Sequence, residues 1–157
     1  MGKSDAERRI DSAARLIAAP AETIYRAFVD GSAWERWLPP AGMIGRVEIF
    51  EPRVGGRYRM VLTYRGDHEN RGKTAENMDI VEGRFIEFAH DEKAVHAVTF
   101  ESEDPAFAGD RRMTWSLSPA PAGTELTITC ENVPFGISKA DHDVGLRSTL
   151  ANLATFM

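Results

Sequence analysis

The chain contains one cysteine, Cys130, among its 157 residues. A single cysteine cannot form an intramolecular disulfide or build a structural zinc site. The histidines at positions 68, 90, 96 and 142 show no metal-ligand spacing either. We therefore predict no metal and no other cofactor, and we expect Cys130 to be a small buried hydrophobic residue of a cytoplasmic protein.

Long apolar segments and a strong excess of one charge are also missing. No apolar run approaches membrane-spanning length, and residues 1–9 lack the apolar core of a signal peptide. The formal net charge is −5, with acids and bases interspersed, so the basic footprint of a nucleic-acid-binding protein is absent. We expect a flexible segment over residues 1–9, one domain over residues 10–157, no membrane span and no nucleic-acid partner.

Catalytic signatures are equally scarce. Gly72-Lys73-Thr74 matches the end of a phosphate-binding P-loop, but Asp67 stands where the motif needs its first glycine. We therefore expect that the chain does not hydrolyse ATP by itself. Neither a serine elbow nor a cysteine–histidine pair is evident, so no catalytic residue is predicted.

Helical periodicity is confined to the two ends of the chain. Pro20 fits a first helical turn, and apolar residues recur at helical spacing after it until Gly31. Ser32 and Glu35 form a capping box that predicts a second short helix, which ends before Pro39.

A long closing helix is predicted over residues 138–157. Ser138 followed by Asp141 is a variant of the capping box, and the apolar stripe contains Leu146, Leu150, Leu153 and Met157. Gly145 lies inside this helix at a cost of roughly 1 kcal/mol relative to alanine. We interpret the glycine as a point where a strand or a ligand approaches closely.

The residues between the helices alternate as β-strands do. Residues 57–64 place Tyr58, Met60, Leu62 and Tyr64 on one face. Similar segments cover residues 10–18, 47–51, 78–88, 93–101, 113–117 and 125–130, with Gly83 predicted to form a bulge. The sequence thus predicts an α+β fold, in which a curved antiparallel sheet wraps round the long C-terminal helix and two short helices lie near the N-terminus.

Several short motifs appear in an order that resembles a known superfamily. They are residues 20–25 (PAETIY), the tryptophans at 34 and 37, residues 55–59 (GGRYR), residues 123–127 (GTELT), His142 and Gly145-Leu146. Together they resemble the SRPBCC (START-like, helix-grip) superfamily, and within it the bacterial homologues of the activator of the heat-shock chaperone ATPase. The resemblance implies a seven-stranded antiparallel sheet round the C-terminal helix, with an apolar cavity between them.

One position departs from the resemblance. Many members carry tryptophan after the helix glycine, whereas this chain has Leu146, which would enlarge or reshape that end of the cavity. The superfamily contains binders, cyclases, lipid carriers and chaperone cofactors, so the resemblance supplies no reaction.

The predicted ligand-binding residues are those expected to face this cavity. They are Trp37, Tyr58, Met60, Tyr64, Phe85, His96, Phe100, Trp115 and Leu146. His96 is either a polar anchor for a ligand or a hydrogen-bonded histidine of the interior, and the aromatic residues either line a cavity or fill a core. His142 is expected to be partly exposed, and Arg57, Arg59, Arg111 and Arg112 are expected to lie on solvated strand faces.

Three functions follow as hypotheses. The first is binding of a small apolar or aromatic molecule in the sheet–helix cavity. The second is a chaperone cofactor that stimulates a heat-shock ATPase. The third is a cavity enzyme of cyclase or hydrolase type, with His96 or a tyrosine as acid or base. The first is favoured because the pattern indicates a cavity more clearly than a reactive constellation. The oligomeric state stays open between a monomer and a homodimer.

Overall fold

The structure is a computed structural model that describes residues 9–39, 42–64, 77–107 and 109–157. Seven antiparallel strands form one sheet in the order β1-β7-β6-β5-β4-β3-β2. The strands are β1 (Ile10–Ile17), β2 (Met43–Phe50), β3 (Arg57–Tyr64), β4 (Met78–Ala89), β5 (Lys93–Phe100), β6 (Arg111–Ala120) and β7 (Gly123–Glu131). The helices are α1 (Ala21–Phe28), α2 (Gly31–Trp37) and α3 (Lys139–Phe156). The predicted α+β helix-grip architecture is confirmed.

The long helix starts where the sequence predicts. The Ser138 hydroxyl accepts a hydrogen bond from the backbone N–H of Asp141 at 3.0 Å, which satisfies one of the free donors of the first turn. Leu146, Leu150 and Leu153 are buried in the same core as the inward-facing strand residues. α3 is therefore packed against the concave face of the sheet.

The second short helix starts differently from the prediction, and the Ser32–Glu35 capping box is wrong. Asp30 is the N-cap residue, and its carboxylate accepts from the N–H groups of Ser32 and Ala33. The Glu35 carboxylate instead accepts from the N–H of Val47 at 2.8 Å, which joins α2 to strand β2. Pro20 likewise occupies the N-cap of α1 rather than its first turn.

Strand alternation follows the predicted pattern, but one bulge was predicted at the wrong residue. Leu126, Ile128 and Cys130 of β7 have no exposed surface, while Glu125, which precedes Leu126, points outward. The bulge predicted at Gly83 is wrong, since the shift in β4–β5 pairing lies between Phe85 and Glu87.

Some predictions fall on residues outside the described ranges. The Gly72-Lys73-Thr74 segment and the histidine at position 68 both lie there. Within the residues that the structure describes, no helix is long and apolar enough to cross a membrane.

Candidate functional site

Helices α1 and α2 close one end of the concave face with aromatic side chains. The Trp37 ring lies 5.4 Å from the rings of Phe28 and Trp115. Its indole N–H donates to the carbonyl of Ala27, and the indole N–H of Trp34 donates to the carbonyl of Phe28. The two tryptophans of α2 therefore satisfy carbonyl groups at the end of α1 and fix the angle between the helices.

A chain of hydrogen bonds crosses the sheet within this aromatic end. The indole N–H of Trp115 can only donate, so Nε2 of His96 accepts its hydrogen bond at 2.8 Å. The proton of neutral His96 must then be on Nδ1, which donates to the Tyr58 hydroxyl oxygen at 2.7 Å. Tyr58 in turn donates to the carbonyl of Ala97 at 3.1 Å. Both ring nitrogens of His96 are thus occupied by protein groups.

Burial fixes the protonation states of this chain. His96 is 4% exposed, and burial together with the nearby Arg111 charge lowers the pKa of His96 to about 3. Burial also raises the pKa of Tyr58 well above its usual value. Both groups are therefore neutral at physiological pH, as the direction of their hydrogen bonds requires.

Gly83 provides the space in which the Tyr58 ring lies. Tyr58 pairs with Gly83 across β3 and β4, and its ring passes over Gly83 to reach His96 on β5. A Cβ atom at position 83 would clash with the Tyr58 ring and with the carbonyl oxygen of Ala97. The sequence signal read as a bulge is thus a close approach of a side chain.

We expect Gly83→Ala to lower the free energy of unfolding by about 1–3 kcal/mol, because overpacking must displace Tyr58 from its hydrogen bonds. Urea denaturation of the variant measures the loss. Gly145→Ala is the control for adding a methyl group, because no described atom lies within 4 Å of a Cβ atom there and the backbone is helical. A Gly83→Ala variant as stable as the native chain would contradict the proposed role of the glycine.

The structure divides the predicted ligand-binding residues between two ends of the interior. Trp37, Tyr58, Phe85, His96 and Trp115 belong to the aromatic end, and Met60 is fully buried beside Gly45. The remaining three, Tyr64, Phe100 and Leu146, lie toward the opposite end, at the C-termini of β3 and β5 and in the first half of α3. Tyr64 is half-buried there.

That opposite end holds an ionic cluster that sequence reasoning missed. His142, in the first turn of α3, donates from Nδ1 to the Asp11 carboxylate at 2.6 Å. Arg111 donates from Nη1 to Nε2 of His142 at 2.8 Å. Arg9 and Lys139 complete the cluster with ion pairs to Asp11 at 2.7 and 3.1 Å.

The cluster holds Asp11 ionised and His142 neutral. Burial by itself would raise the pKa of Asp11, but hydrogen bonds from Arg9, His142 and Lys139 outweigh it and keep that pKa well below its usual value. Burial lowers the pKa of His142, and its hydrogen bond to Asp11 opposes this only in part. Arg111 therefore donates to a neutral imidazole rather than to an anion.

Two predictions about this cluster are wrong. His142 is 7% exposed rather than partly exposed, and Arg111 points inward rather than to solvent. Arg57 and Arg112 are exposed, as predicted, and Arg59 is ion-paired on the outer face. The inward direction of Arg111 could have been predicted from strand alternation, because Arg111 lies two residues before Met113, which is on the inward face of β6.

A strand or a ligand was expected to approach Gly145 closely, and the strand alternative is wrong for the described residues. A Cβ atom at this position would have no described atom within 4 Å. One turn further along α3, the Thr149 hydroxyl donates to the carbonyl of Leu38, and Asn152 donates to the carbonyl of Pro39. Gly145 thus lies on the side of α3 that faces the segment after α2, and it is half-buried.

A seven-stranded antiparallel sheet that holds a C-terminal helix defines the helix-grip class of protein. Residues 18–157 match the family model of Activator of Hsp90 ATPase homolog 1-like protein, and the chain belongs to this family. No match is found among curated proteins.

Solved structures of bacterial proteins share the fold. A crystal structure of a protein from Chromobacterium violaceum has a TM-score of 0.83 and 29% identity, over 94% of this chain and 95% of that one. The solution structure of an AHSA1-like protein from Aeromonas hydrophila has a TM-score of 0.71 and 15% identity, over 94% and 91%. A protein from Arthrobacter aurescens has a TM-score of 0.74 and 18% identity, over 97% and 87%. At these last two identities the likeness concerns the fold alone.

Proposed function

We propose that the chain binds a small, mainly apolar molecule in a cleft between the first half of α3 and the concave face of the sheet. The observation that carries this proposal is the space beside Gly145, which no described atom fills within 4 Å. Gly145 is half-buried, and the absence of a side chain there leaves room for a guest molecule beside α3.

The inward-facing residues at this end support the same conclusion. Leu62 and Phe100 are each 9% exposed and Met113 is 7% exposed, whereas Trp37 and Trp115 at the aromatic end are at most 1% exposed. Leu62, Phe100 and Met113 give the inner face an apolar lining at this end of the sheet. Apolar walls with a few polar groups are typical of small-molecule sites.

The chemistry of His96 favours binding over catalysis. A general base works best with a pKa near the operating pH, whereas the pKa of His96 is lowered to about 3. Both of its ring nitrogens are engaged by Trp115 and Tyr58, and the pKa of Tyr58 is raised. Neither residue is thus poised to transfer a proton at neutral pH, which weakens the cavity-enzyme hypothesis.

Filling the space beside Gly145 should reduce ligand binding. We expect Gly145→Leu to weaken binding of the neutral apolar dye N-phenyl-1-naphthylamine by about ten-fold or more, which corresponds to about 1.4 kcal/mol. Leucine has a higher helix propensity than glycine, so the variant should keep its fold. A fluorescence titration measures the affinity.

Val144 supplies the matched control, because it is adjacent in α3 and 68% exposed. The Val144→Leu variant should bind the dye as the native chain does. Equal dye affinity in the native chain and Gly145→Leu, or no dye binding at all, would contradict a cleft at this position.

A chaperone cofactor is the second candidate function. It is supported by the family to which the chain belongs and by Phe135, a large apolar side chain that is 79% exposed just before α3. Exposed aromatic side chains are enriched at protein interfaces. Stimulation of the ATPase activity of a bacterial heat-shock chaperone by the native chain, and its loss in Phe135→Ser, would favour this function over ligand binding.

A further inference from the structure

Arg111 has no carboxylate partner among the residues that the structure describes. Its Nη1 group donates to neutral His142, and among the described residues no carboxylate forms an ion pair with it. Arg59, by comparison, contacts the carboxylates of Glu48, Glu82 and Glu101 on the outer face. Asp11, the carboxylate of the ionic cluster, is already shared by Arg9, Lys139 and His142.

One donor of Arg111 is buried and unused. Its Nε atom has no exposed surface and no hydrogen-bond partner. A buried donor without a partner costs free energy, and buried polar groups in native proteins are nearly always satisfied. The unused donor therefore indicates a partner that belongs to the bound state.

The guanidinium faces the interior of the fold. Its central carbon lies 5.2 Å from the centroid of the Phe100 ring, a cation–π contact on the inner side of β5. The charge of Arg111 also lowers the pKa of His96, which lies on the concave face. His142, which Arg111 contacts, is one helical turn before Gly145. The cation is thus at the wall of the proposed cleft.

We propose that Arg111 binds the carboxylate of the ligand, which makes the ligand a small amphipathic monoanion with an apolar body. This inference rests on the proposed function and names its ligand class. Once the side chains that cover Nε move aside on binding, the guanidinium edge formed by Nε and Nη2 can donate two parallel hydrogen bonds to one carboxylate, while Nη1 stays on His142.

The surroundings select a single negative charge. Phe100 and Met113 offer apolar contact, and His142 is neutral and already donates to Asp11. Arg9 and Lys139 are engaged on Asp11, so among the described basic residues of the cluster Arg111 alone has no carboxylate partner. A phosphate dianion would need more donors and more positive charge than this wall supplies.

The test compares two probes of similar shape, 2-naphthoate and the neutral 2-naphthalenemethanol, by titration calorimetry at pH 7 on the full chain. We expect the native chain to bind the acid about ten- to one-hundred-fold more tightly than the alcohol, as for other charge-assisted hydrogen bonds. Arg111→Met should bind both probes with similar affinity.

Arg112→Met is the matched control, because Arg112 is the next residue of β6 and is exposed on the opposite face. It should keep the preference for the acid. Arg111→Lys keeps the charge but loses the two-donor edge, so it should retain only part of the preference. If Arg111→Met does not fold, the role of Arg111 is tested by the ratio of acid affinity to alcohol affinity, measured in the native chain and in Arg111→Lys.

The outcomes separate the two proposals. Equal affinity of the native chain for acid and alcohol would overturn the role of Arg111 and leave a neutral-ligand cleft standing. A preference for the acid that Arg112→Met removes as fully as Arg111→Met would also overturn it. Binding of neither probe would overturn both proposals.

Discussion

Replacement of Leu150 with alanine is expected to lower the free energy of unfolding by about 2–5 kcal/mol. Leu150 is 1% exposed and lies in the middle of α3, in the same core as Leu62, Trp115 and Ile128. The variant would lose both the transfer free energy of the side chain and the contacts that line the resulting void. Urea denaturation at pH 7 measures the difference.

Val144→Ala serves as the control for this experiment. Val144 lies on the same helix but is 68% exposed, so its truncation should change the free energy of unfolding by no more than about 0.5 kcal/mol. A Leu150→Ala variant that is as stable as Val144→Ala would mean that α3 does not pack on the sheet.

We expect the free energy of unfolding to fall with pH already in the range where the carboxylates of the protein are still ionised. The folded pKa of His96 is about 3, below its ordinary value of 6.5. Between these values the unfolded chain binds a proton that the folded chain excludes, so stability falls as pH falls, by up to about 1.4 kcal/mol per pH unit from this residue.

The ionic cluster adds to the effect with the same sign. The pKa of His142 is also lowered in the folded state, and the pKa of Asp11 is lowered too. The Asp11 contribution is complete above the unfolded pKa of about 3.9 and is lost as pH falls below it. Denaturation at pH 7, 6, 5 and 4 measures the slope from the two histidines, and further points at pH 3 and 2 include the Asp11 contribution.

His96→Gln isolates the contribution of the buried imidazole. Glutamine does not titrate, so the slope of stability against pH should be smaller in this variant than in the native chain, whatever its stability at pH 7. Parallel slopes for the two proteins would show that His96 is not kept neutral by the fold.

The sequence predicts the fold well because its local signals agree with each other. Strict alternation marks β3, β6 and β7, and the Ser138 cap marks the start of α3. Such signals are reliable where one face of an element is buried, since a slip of one residue would expose the whole apolar face. The motifs that resemble the family then predict how these elements are arranged in one fold.

The ionic cluster was not predictable in the same way. Asp11 and His142 are 131 residues apart in the chain, and no local pattern links an aspartate in a weak edge strand with a histidine in a first helical turn. Their proximity depends on β1 and α3 packing at the same end of the sheet. The inward direction of Arg111 could be inferred from alternation, but its partner could not.

The glycines show a similar limit. Gly83 and Gly145 both interrupt regular elements, and the sequence suggested a bulge for the first and a close neighbour for the second. In the structure the Tyr58 ring lies over Gly83. A Cβ atom at Gly145 would have no described atom within 4 Å. A missing side chain can make room for a neighbour or leave space empty, and sequence alone does not distinguish the two.

The hydrogen bonds from Trp115 to His96 and from His96 to Tyr58 have a mechanical consequence. They link β6, β5 and β3 across the concave face, and they run between side chains rather than along the backbone ladder. They act as a tie across the arc of the sheet, because the sheet can flatten at this end only if the tie breaks. A guest molecule that widened the sheet at the aromatic end would have to break these bonds first, whereas at the opposite end β1 and β6 are joined through α3, by Asp11, His142 and Arg111.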